Sequence, residues 1–207
     1  MITVHHLDFS RSHRVLWLLE EFGLTYELVR YKRDANFKAP PALAAIHPLG
    51  KSPVIQDGAL TLAESAVILE YINTRYGGGR LAPPPGSDAY FVHEEWLQFV
   101  ESTAAFPIMM TRIGALTGGL SERMAQFVSP VLQKTLDYIS SAVSTGAYLS
   151  GDRFQLADIQ MAYPLEIASY GGMLGAYPQL TEYLDRLKAR PAFERAVEKG
   201  GPMMPPK

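Results

Sequence analysis

The chain has 207 residues, of which 47% are hydrophobic and 19% charged, and its formal net charge is −2. This length allows one large domain or two small ones, and the near-zero charge gives no basic field to attract nucleic acid or an anionic membrane. Cysteine is absent, so the protein can neither form disulfides nor supply a thiol to a reaction. No apolar run reaches the roughly 18 to 20 residues of a membrane span, and the first residues do not resemble a secretory signal. We therefore expect a cytoplasmic protein with neither a nucleic-acid partner nor a membrane span.

The first part of the chain alternates between strand and helix patterns. Strands are predicted over residues 2–7 and 26–31, a helix over 14–22 that stops at Gly23, and a short helix over 40–46. Asp57-Gly58 lies between the apolar runs 53–56 and 59–62, which predicts a hairpin, and a helix follows over 65–76. Strands joined through a helix lie parallel, whereas a hairpin adds antiparallel strands. This order matches an α/β thioredoxin-like domain.

A change in composition marks the predicted domain boundary. The glycines at 77–79 and the Pro-Pro-Pro-Gly run at 83–86 break both helix and strand. Beyond them the pattern is helical over 89–113, 121–144, 155–169 and 178–190, with a bend or restart expected at Pro107. We expect the tail 200–206 to be loosely ordered. The predicted division is 1–78 for the first domain, 79–88 for a linker and 89–207 for an all-α C-terminal helical domain.

Two serines, Ser10 and Ser12, precede the first helix. The unpaired N–H groups of a helix start favour an anion, and a serine hydroxyl there could donate a hydrogen bond to a thiolate. The alternative is that either serine merely caps the helix. From these residues alone, capping is the simpler interpretation.

Two further segments lie around the predicted hairpin. Pro53 opens it without an amide donor, and a cis bond there would turn the backbone of Ser52 outward toward an extended ligand. Glu64 and Ser65 start the next helix, where a carboxylate beside free N–H groups suits a ligand that carries both an ammonium and a carboxylate. Alternatively, Glu64 only complements the helix dipole.

The three segments together resemble the glutathione transferase superfamily, and the resemblance runs from Val4 to about Arg195. It is most specific in the motifs His-Pro-Leu-Gly-Lys-Ser-Pro at 47–53, Leu-Ala-Glu-Ser-Ala-Val-Ile at 62–68 and Gly-Asp-Arg-Phe-Gln-Leu-Ala-Asp-Ile at 151–159. The stretch Arg-Tyr-Lys-Arg-Asp-Ala-Asn-Phe at 30–37 resembles a fungal and bacterial subgroup of these enzymes.

The resemblance implies a serine-type glutathione transferase that activates the glutathione thiol as a thiolate. In such enzymes the activating serine lies four residues before an arginine, here Arg14, which selects Ser10 over its competitor Ser12. Pro53 matches the family's cis-proline, and the backbone of Ser52 is expected to pair with the cysteinyl part of glutathione. Three kinds of ligand contact complete the expected site: the γ-glutamyl group at Glu64 and Ser65, a carboxylate at Lys51, and the glycine end at Lys38.

The resemblance also places a small apolar electrophile on the helical domain. Phe106 and Met110 are the expected contacts, with Tyr163 as a weaker candidate, although such an apolar stripe also suits a core. Gln155 departs from the family, which commonly has Ser or Thr three residues before the aspartate that is here Asp158, and Gln is a poor N-cap. We therefore expect Asp158 to matter for folding more than for binding glutathione. The family further implies a homodimer and a role in detoxification.

Three other functions are compatible with these motifs. A glutathione-dependent isomerase of the maleylacetoacetate type would typically carry a Ser-Ser-Cys run, which Ser10-Arg11-Ser12 does not reproduce. Glutathione peroxidase activity needs the same thiolate, and a non-catalytic binding or assembly module could share the fold. No metal site is expected, because His5 and His6 are neighbours in a strand and point to opposite faces.

Overall fold

The computed structural model describes residues 1–206 and contains four strands and nine α-helices within them. The chain forms two compact units. One unit is Met1–Arg80 together with the described residues from Lys188 onward, and the other is Leu81–Leu187. None of the helices in the described part of the chain combines the length and the apolar character needed to cross a membrane.

The first unit is built on a four-stranded mixed sheet. Its elements are β1 (Ile2–Leu7), α1 (His13–Phe22), β2 (Tyr26–Tyr31), α2 (Ala42–Ile46), β3 (Val54–Asp57), β4 (Leu60–Ala63) and α3 (Ser65–Arg75). The strand order is β2-β1-β3-β4, with β1 parallel to β2 and the other two pairs antiparallel. The predicted α/β fold, its strand directions and its hairpin are confirmed, with element ends shifted by only one or two residues.

Helix α1 is held in the core of this unit. Its residues Val15 to Leu19 are fully buried, since the helix packs against both α3 and the last helix of the chain. It ends where Gly23 adopts a left-handed φ of 63°, and Leu24 N–H then bonds to the carbonyl of Leu19 at 3.0 Å. Glycine adopts this conformation without steric cost, so the predicted stop at Gly23 is confirmed.

A helix that the sequence analysis did not predict, α9 (Pro191–Gly200), packs against α1. Glu21 of α1 accepts two hydrogen bonds from Arg190, at 2.6 and 3.0 Å. Glu20 accepts from Arg195 at 3.2 Å and from Lys199 at 2.5 Å. These ion pairs fix the C-terminal helix to the first unit.

The grouping into units differs from the predicted division, in which all residues from 89 onward belonged to the helical domain. The described residues from Lys188 onward group with the first unit instead. Residues 201–206 form neither helix nor strand, but Met203 is only 3% exposed. Part of the tail that was predicted to be loosely ordered is thus buried.

The second unit is all-helical, as predicted. It contains α4 (Asp88–Phe99), a π-helical turn (Val100–Ala104), α5 (Ala105–Leu116), α6 (Glu122–Ser144), α7 (Leu156–Tyr170) and most of α8 (Pro178–Lys188). The predicted break near Pro107 takes the form of the π turn just before it, where Ala105 N–H bonds to the carbonyl of Val100. Proline lacks an N–H, and its ring opposes the carbonyl four residues earlier, so the wider turn relieves the conflict in advance.

The start of α7 is organised around a buried carboxylate. Asp158 is 0% exposed and accepts hydrogen bonds from Gln155 N–H at 2.8 Å, Leu149 N–H at 3.0 Å and the Tyr183 hydroxyl at 2.6 Å. The side chain of Gln155 accepts from Nδ1 of His93 at 2.8 Å. The expected weakness of Gln155 as a cap is thus offset by its neighbours, and Asp158 holds the loop and two helices of this unit together.

Candidate active site

Three strand ends lie at the same edge of the sheet. In the antiparallel register His5 of β1 is opposite Val54 of β3, and Val54 is opposite Ala63 of β4. The residues after β1, before β3 and after β4 therefore emerge together. The sheet thus brings together the three segments singled out in the sequence: Ser10, Ser52-Pro53 and Glu64-Ser65.

The loop between β1 and α1 presents two serines of different accessibility. Ser10 is 5% exposed, whereas Ser12 is 0% exposed. Their Oγ atoms lie 2.7 Å apart, and Ser10 Oγ also accepts from Ser12 N–H at 3.2 Å. Phe9, just before them, has a φ of 55°, a conformation that residues other than glycine rarely adopt. Of the two residues, Ser10 is the one that keeps some exposure to solvent.

The Ser12 hydroxyl forms hydrogen bonds with buried groups of the first unit. Its Oγ lies 2.8 Å from Nδ1 of His6 and accepts from Leu7 N–H at 3.3 Å. Nε2 of His6 lies 2.9 Å from the carbonyl oxygen of Gly200 in α9. Burial lowers the pKa of His6, outweighing the opposing effects of the Gly200 carbonyl and of Asp8. The imidazole is therefore neutral at neutral pH.

The Ser52-Pro53 peptide bond is cis, as the family resemblance implied. The Ser52 hydroxyl donates to the carbonyl of His5 at 2.8 Å and accepts from Leu7 N–H at 3.2 Å. The segment before β3 is thereby attached to the end of β1. Lys51 precedes it and is exposed.

The start of α3 supplies a second unusual backbone position. Glu64 has a φ of 70° and is exposed, whereas Ser65 is buried. Ser65 Oγ accepts from Nη1 of Arg14 at 3.0 Å, and Arg14 is itself only 1% exposed. Arg14, used in the sequence analysis only to choose between two serines, thus joins the start of α1 to the start of α3.

Lys38 is exposed at the end of a tight loop. The carboxylate of Asp34 accepts from Asn36 N–H at 2.9 Å and from Lys38 N–H at 2.8 Å. Such aspartate-closed turns need no regular secondary structure. The position of Lys38 is therefore better fixed than its sequence surroundings suggested.

Sequence reasoning missed Arg33, which supports the serine loop. Its guanidinium donates to the carbonyls of Asp8 at 2.8 Å and Phe9 at 3.1 Å, and lies 4.4 Å from the centre of the Phe37 ring. The rings of Phe9 and Phe37 stack at 6.1 Å. Arg33 belongs to the Arg-Tyr-Lys-Arg-Asp-Ala-Asn-Phe stretch, which the sequence analysis had singled out for its family resemblance. The distance in sequence between Arg33 and Ser10 gave no reason to expect a contact between Arg33 and the serine loop.

Comparison with known proteins gives the family. The family model described as "Glutathione S-transferase, N-terminal domain" matches residues 1–74, and the corresponding C-terminal domain model matches residues 115–199. The chain belongs to the glutathione S-transferase family.

Relatives of this glutathione S-transferase family member cover nearly its whole length. Glutathione S-transferase 1 of Saccharomyces cerevisiae is 33% identical and covers 96% of this chain and 95% of its own. Glutathione S-transferase 3 of Schizosaccharomyces pombe is 32% identical and covers 96% of this chain and 88% of its own. A crystal structure of a glutathione S-transferase from Actinobacillus pleuropneumoniae, 33% identical, superposes with a TM-score of 0.89 over 97% of this chain and 93% of that one. The family, fold and enzyme class predicted from the sequence are confirmed.

The residues predicted to contact an electrophile lie in the helical unit of this family member. Phe106 is 47% exposed, and Met110, four residues further along α5, is half-buried, so the two side chains share one face of the helix. Tyr163 on α7 is only 6% exposed. Their roles stay predictions, and the burial of Tyr163 keeps it the weakest of the three.

Among the described residues, no group of three or more His, Cys, Asp or Glu side chains could hold a metal ion. The side chains of the neighbouring residues His5 and His6 lie on opposite faces of β1 and contact different residues. His5 contacts the Tyr31 hydroxyl at 2.9 Å and Gln56 at 3.0 Å, whereas His6 contacts Ser12 and Gly200.

Proposed function

We propose that this chain binds glutathione at the common edge of β1, β3 and β4 and activates its thiol as a thiolate, which then attacks small apolar electrophiles. The observation that supports this most is the convergence of Ser10, Ser52-Pro53 and Glu64-Ser65. Family membership and the lack of any cysteine in the chain agree with a role in activating a thiol that comes from outside.

Each segment has a definite role in this proposal. Ser10 donates its hydroxyl hydrogen to the sulfur, since it keeps contact with solvent where Ser12 does not. The backbone of Ser52 pairs with the cysteinyl residue. Glu64 accepts the γ-glutamyl ammonium and Ser65 assists at the helix start. The side chains of Lys51 and Lys38 are both exposed. Lys51 attracts a carboxylate of the ligand, and Lys38 attracts the glycine end.

The energy required is modest. A free thiol has a pKa near ~8.5 and is only a few per cent ionised at neutral pH. Lowering the pKa by about 2 units makes it mostly thiolate and corresponds to about 2.7 kcal/mol. A hydroxyl that donates to a charged partner contributes roughly 1.5 to 3 kcal/mol. The hydrogen bond from one serine hydroxyl is therefore of the size that the pKa shift requires, while orienting the electrophile must supply the remaining acceleration.

The electrophile is proposed to contact Phe106 and Met110. Both are apolar, neither is fully buried, and methionine adapts to ligands of different shape. These side chains favour apolar substrates without selecting a particular one. A peroxidase or isomerase reaction would use the same thiolate, so product analysis with each substrate class separates these activities.

The direct test is the ionisation of bound glutathione. Thiolate absorbance is recorded against pH for the wild type and for Ser10→Ala, Ser12→Ala and Ser121→Ala. Because the protein has no cysteine, any thiolate signal comes from the ligand. Ser10→Ala is expected to raise the pKa of the bound thiol by about 1 to 2 units, since it removes the donor.

Ser121→Ala is the matched control, because Ser121 caps α6 and is exposed. It should leave the pKa of the thiol unchanged. A normal thiol pKa in wild-type complexes would contradict the proposal and favour a non-catalytic scaffold. A shift that survives in Ser10→Ala but disappears in Ser12→Ala would transfer the role to Ser12.

A further inference from the structure

We propose that Ser10, Ser12 and His6 form a proton relay that carries the thiol proton of glutathione inward to Nδ1 of His6. This rests on the proposed function, since it concerns the fate of the proton that thiolate formation releases. The relay consists of two short contacts, 2.7 Å between Ser10 Oγ and Ser12 Oγ and 2.8 Å between Ser12 Oγ and His6 Nδ1. All three side chains are at least 95% buried.

The carbonyl of Gly200 fixes the direction of the hydrogen bonds. A carbonyl oxygen only accepts, so Nε2 of His6, 2.9 Å away, must carry a hydrogen. The neutral imidazole then has a bare Nδ1, which accepts the hydroxyl hydrogen of Ser12. The carbonyl of Leu7 is a poorer acceptor for this hydrogen, because it lies 3.4 Å from Ser12 Oγ.

The same reasoning orients Ser10. Since Ser12 has given its one hydrogen to His6, the hydrogen between the two serines must belong to Ser10. Ser12 Oγ thus accepts from Ser10 and from Leu7 N–H, and Ser10 Oγ accepts from Ser12 N–H. One lone pair of Ser10 Oγ is left to accept the S–H of an incoming thiol. The resting hydroxyls therefore point away from the ligand and toward the histidine.

The proposed step moves three protons by one hydrogen bond each. The S–H bond breaks and an O–H bond forms at Ser10, the former Ser10 proton passes to Ser12, and the former Ser12 proton forms an N–H bond at Nδ1 of His6. The products are a thiolate and an imidazolium, so charge and atoms balance. Every hydrogen bond of the relay is reversed, and Ser10 now donates to the thiolate.

Thiolate formation without the relay leaves a buried polar atom of the hydrogen-bond network without a partner. If Ser10 turned its hydrogen to the sulfur while His6 stayed neutral, two hydroxyl oxygens would face each other at 2.7 Å with no hydrogen between them. If Ser12 turned to Ser10 instead, the buried Nδ1 would lose its donor. An unpaired buried polar atom is costly, so the transferred proton is what keeps every group satisfied.

Charged and titratable groups around His6 come from several elements. Asp8 at the end of β1 favours the imidazolium, Arg30 of β2 opposes it, and burial opposes it most. Asp8 and Arg30 are themselves paired at 2.6 Å. His13 of α1 interacts with His6, and burial keeps His13 neutral at neutral pH. The imidazolium thus needs the new negative charge at the thiolate, which couples the two ionisations.

Glycine at position 200 allows the carbonyl to approach. A Cβ atom built there would lie 2.4 Å from Cδ1 of Leu16 and 3.2 Å from Nε2 of His6. Helix α9 therefore contributes a backbone acceptor to the relay because its last residue has no side chain. His6 is a positioning residue in this scheme, since it acts on glutathione through two hydroxyls.

The test observes the protonation of His6 directly. Nitrogen chemical shifts of the imidazole are recorded by NMR for the free protein, its glutathione complex and its complex with S-methylglutathione, which has no thiol proton. We expect a neutral ring with hydrogen at Nε2 in the free protein and in the S-methylglutathione complex. We expect an imidazolium in the glutathione complex at a pH where the absorbance shows a thiolate.

Two variants break the relay at different points. Ser12→Ala keeps the bond between His6 and Gly200, so it tests the relay without removing the buried imidazole. His6→Asn offers an oxygen acceptor that cannot take up the proton. Both should lower kcat/KM near neutral pH by about tenfold and move the acidic limb of the pH profile upward. In Ser12→Ala the histidine should stay neutral when glutathione binds.

The matched control is His5→Asn, which removes a buried imidazole from the opposite face of the same strand and should leave the pH profile in place. A neutral His6 in a wild-type complex that contains thiolate would overturn the relay and leave the proposed function standing. An imidazolium that also forms with S-methylglutathione would overturn it as well. Absence of thiolate in the wild type would instead contradict the proposed function.

Discussion

His13 carries a buried imidazole that the proposed chemistry does not use. It is 1% exposed, its ring packs against Phe193 at 5.0 Å, and neither ring nitrogen has a hydrogen-bond partner among the described residues. Burial, and secondarily the nearby His6, lowers the pKa of His13 to about 3. The folded protein therefore keeps this ring neutral where the unfolded chain would protonate it.

This residue should make stability depend on pH. Between the unfolded pKa of 6.5 and the folded pKa of about 3, the unfolded state binds the extra proton, so stability is lost as the pH falls. We expect wild type to lose about 2 kcal/mol more than His13→Leu between pH 7 and pH 5. Urea denaturation at the two pH values measures the difference. Equal losses in both proteins would show that His13 is not the source.

At the scale of elements, the docking of α9 on α1 depends on a close approach as well as on ion pairs. Leu16 is fully buried beneath Gly200, and a Cβ at position 200 would lie 2.4 Å from it. Glutamates 20 and 21 hold the same helix by their bonds to Arg190, Arg195 and Lys199. Burial opposes ionisation of Glu20, but the hydrogen bonds from Lys199, Tyr26 and Arg195 outweigh it and lower the pKa of its carboxyl.

The contact at Gly200 can be tested by a pair of glycine variants. Gly200→Ala should cost about 1 to 3 kcal/mol, because overpacking outweighs the gain of roughly 1 kcal/mol from the better helix former. Gly175→Ala is the control, since a Cβ there meets nothing within 4 Å and the φ angle does not require glycine. Its stability should stay within about 0.5 kcal/mol of the wild type. The free energy of unfolding in urea measures both, and equal effects would contradict the close approach.

At the scale of the whole molecule, we propose the homodimer that the family resemblance implied. Large apolar side chains are exposed in both units, including Val67 on α3 and Phe91 and Val92 on α4. Exposed apolar groups of this kind are common where chains associate, although single ones also occur on monomers. Family membership is therefore the stronger support.

The assembly predicts a definite mass in solution. One chain has a mass of 22.9 kDa. Sedimentation equilibrium should therefore give about 46 kDa, the mass of a closed dimer with two-fold symmetry. No reducing agent should change this mass, because the chain has no cysteine to form an intermolecular disulfide. A mass of one chain at all concentrations would contradict the dimer.

Much of the fold was accessible from local patterns. The strand β1, the stop at Gly23 and the Asp-Gly hairpin depend on residues close in sequence, so periodicity and turn chemistry were sufficient. Helix α9 was missed even though Pro191 is a good start, because the preceding helix was extended to 190 and the tail after 200 has no period. Its place beside α1 depends on ion pairs between residues about 170 positions apart, which no local pattern contains.

The candidate site shows the same contrast. The sequence alone determined that Ser10, Ser52-Pro53 and Glu64-Ser65 are present in the order of the family, and that the chain has no thiol of its own. Only the tertiary structure decided that Ser12 is fully buried next to Ser10 and that the Gly200 carbonyl accepts a hydrogen bond from His6. Burial and long-range hydrogen bonds exist only after the strands and α9 have packed. Residue types and spacings specify which groups are available, whereas the direction of each hydrogen bond depends on partners that folding brings together.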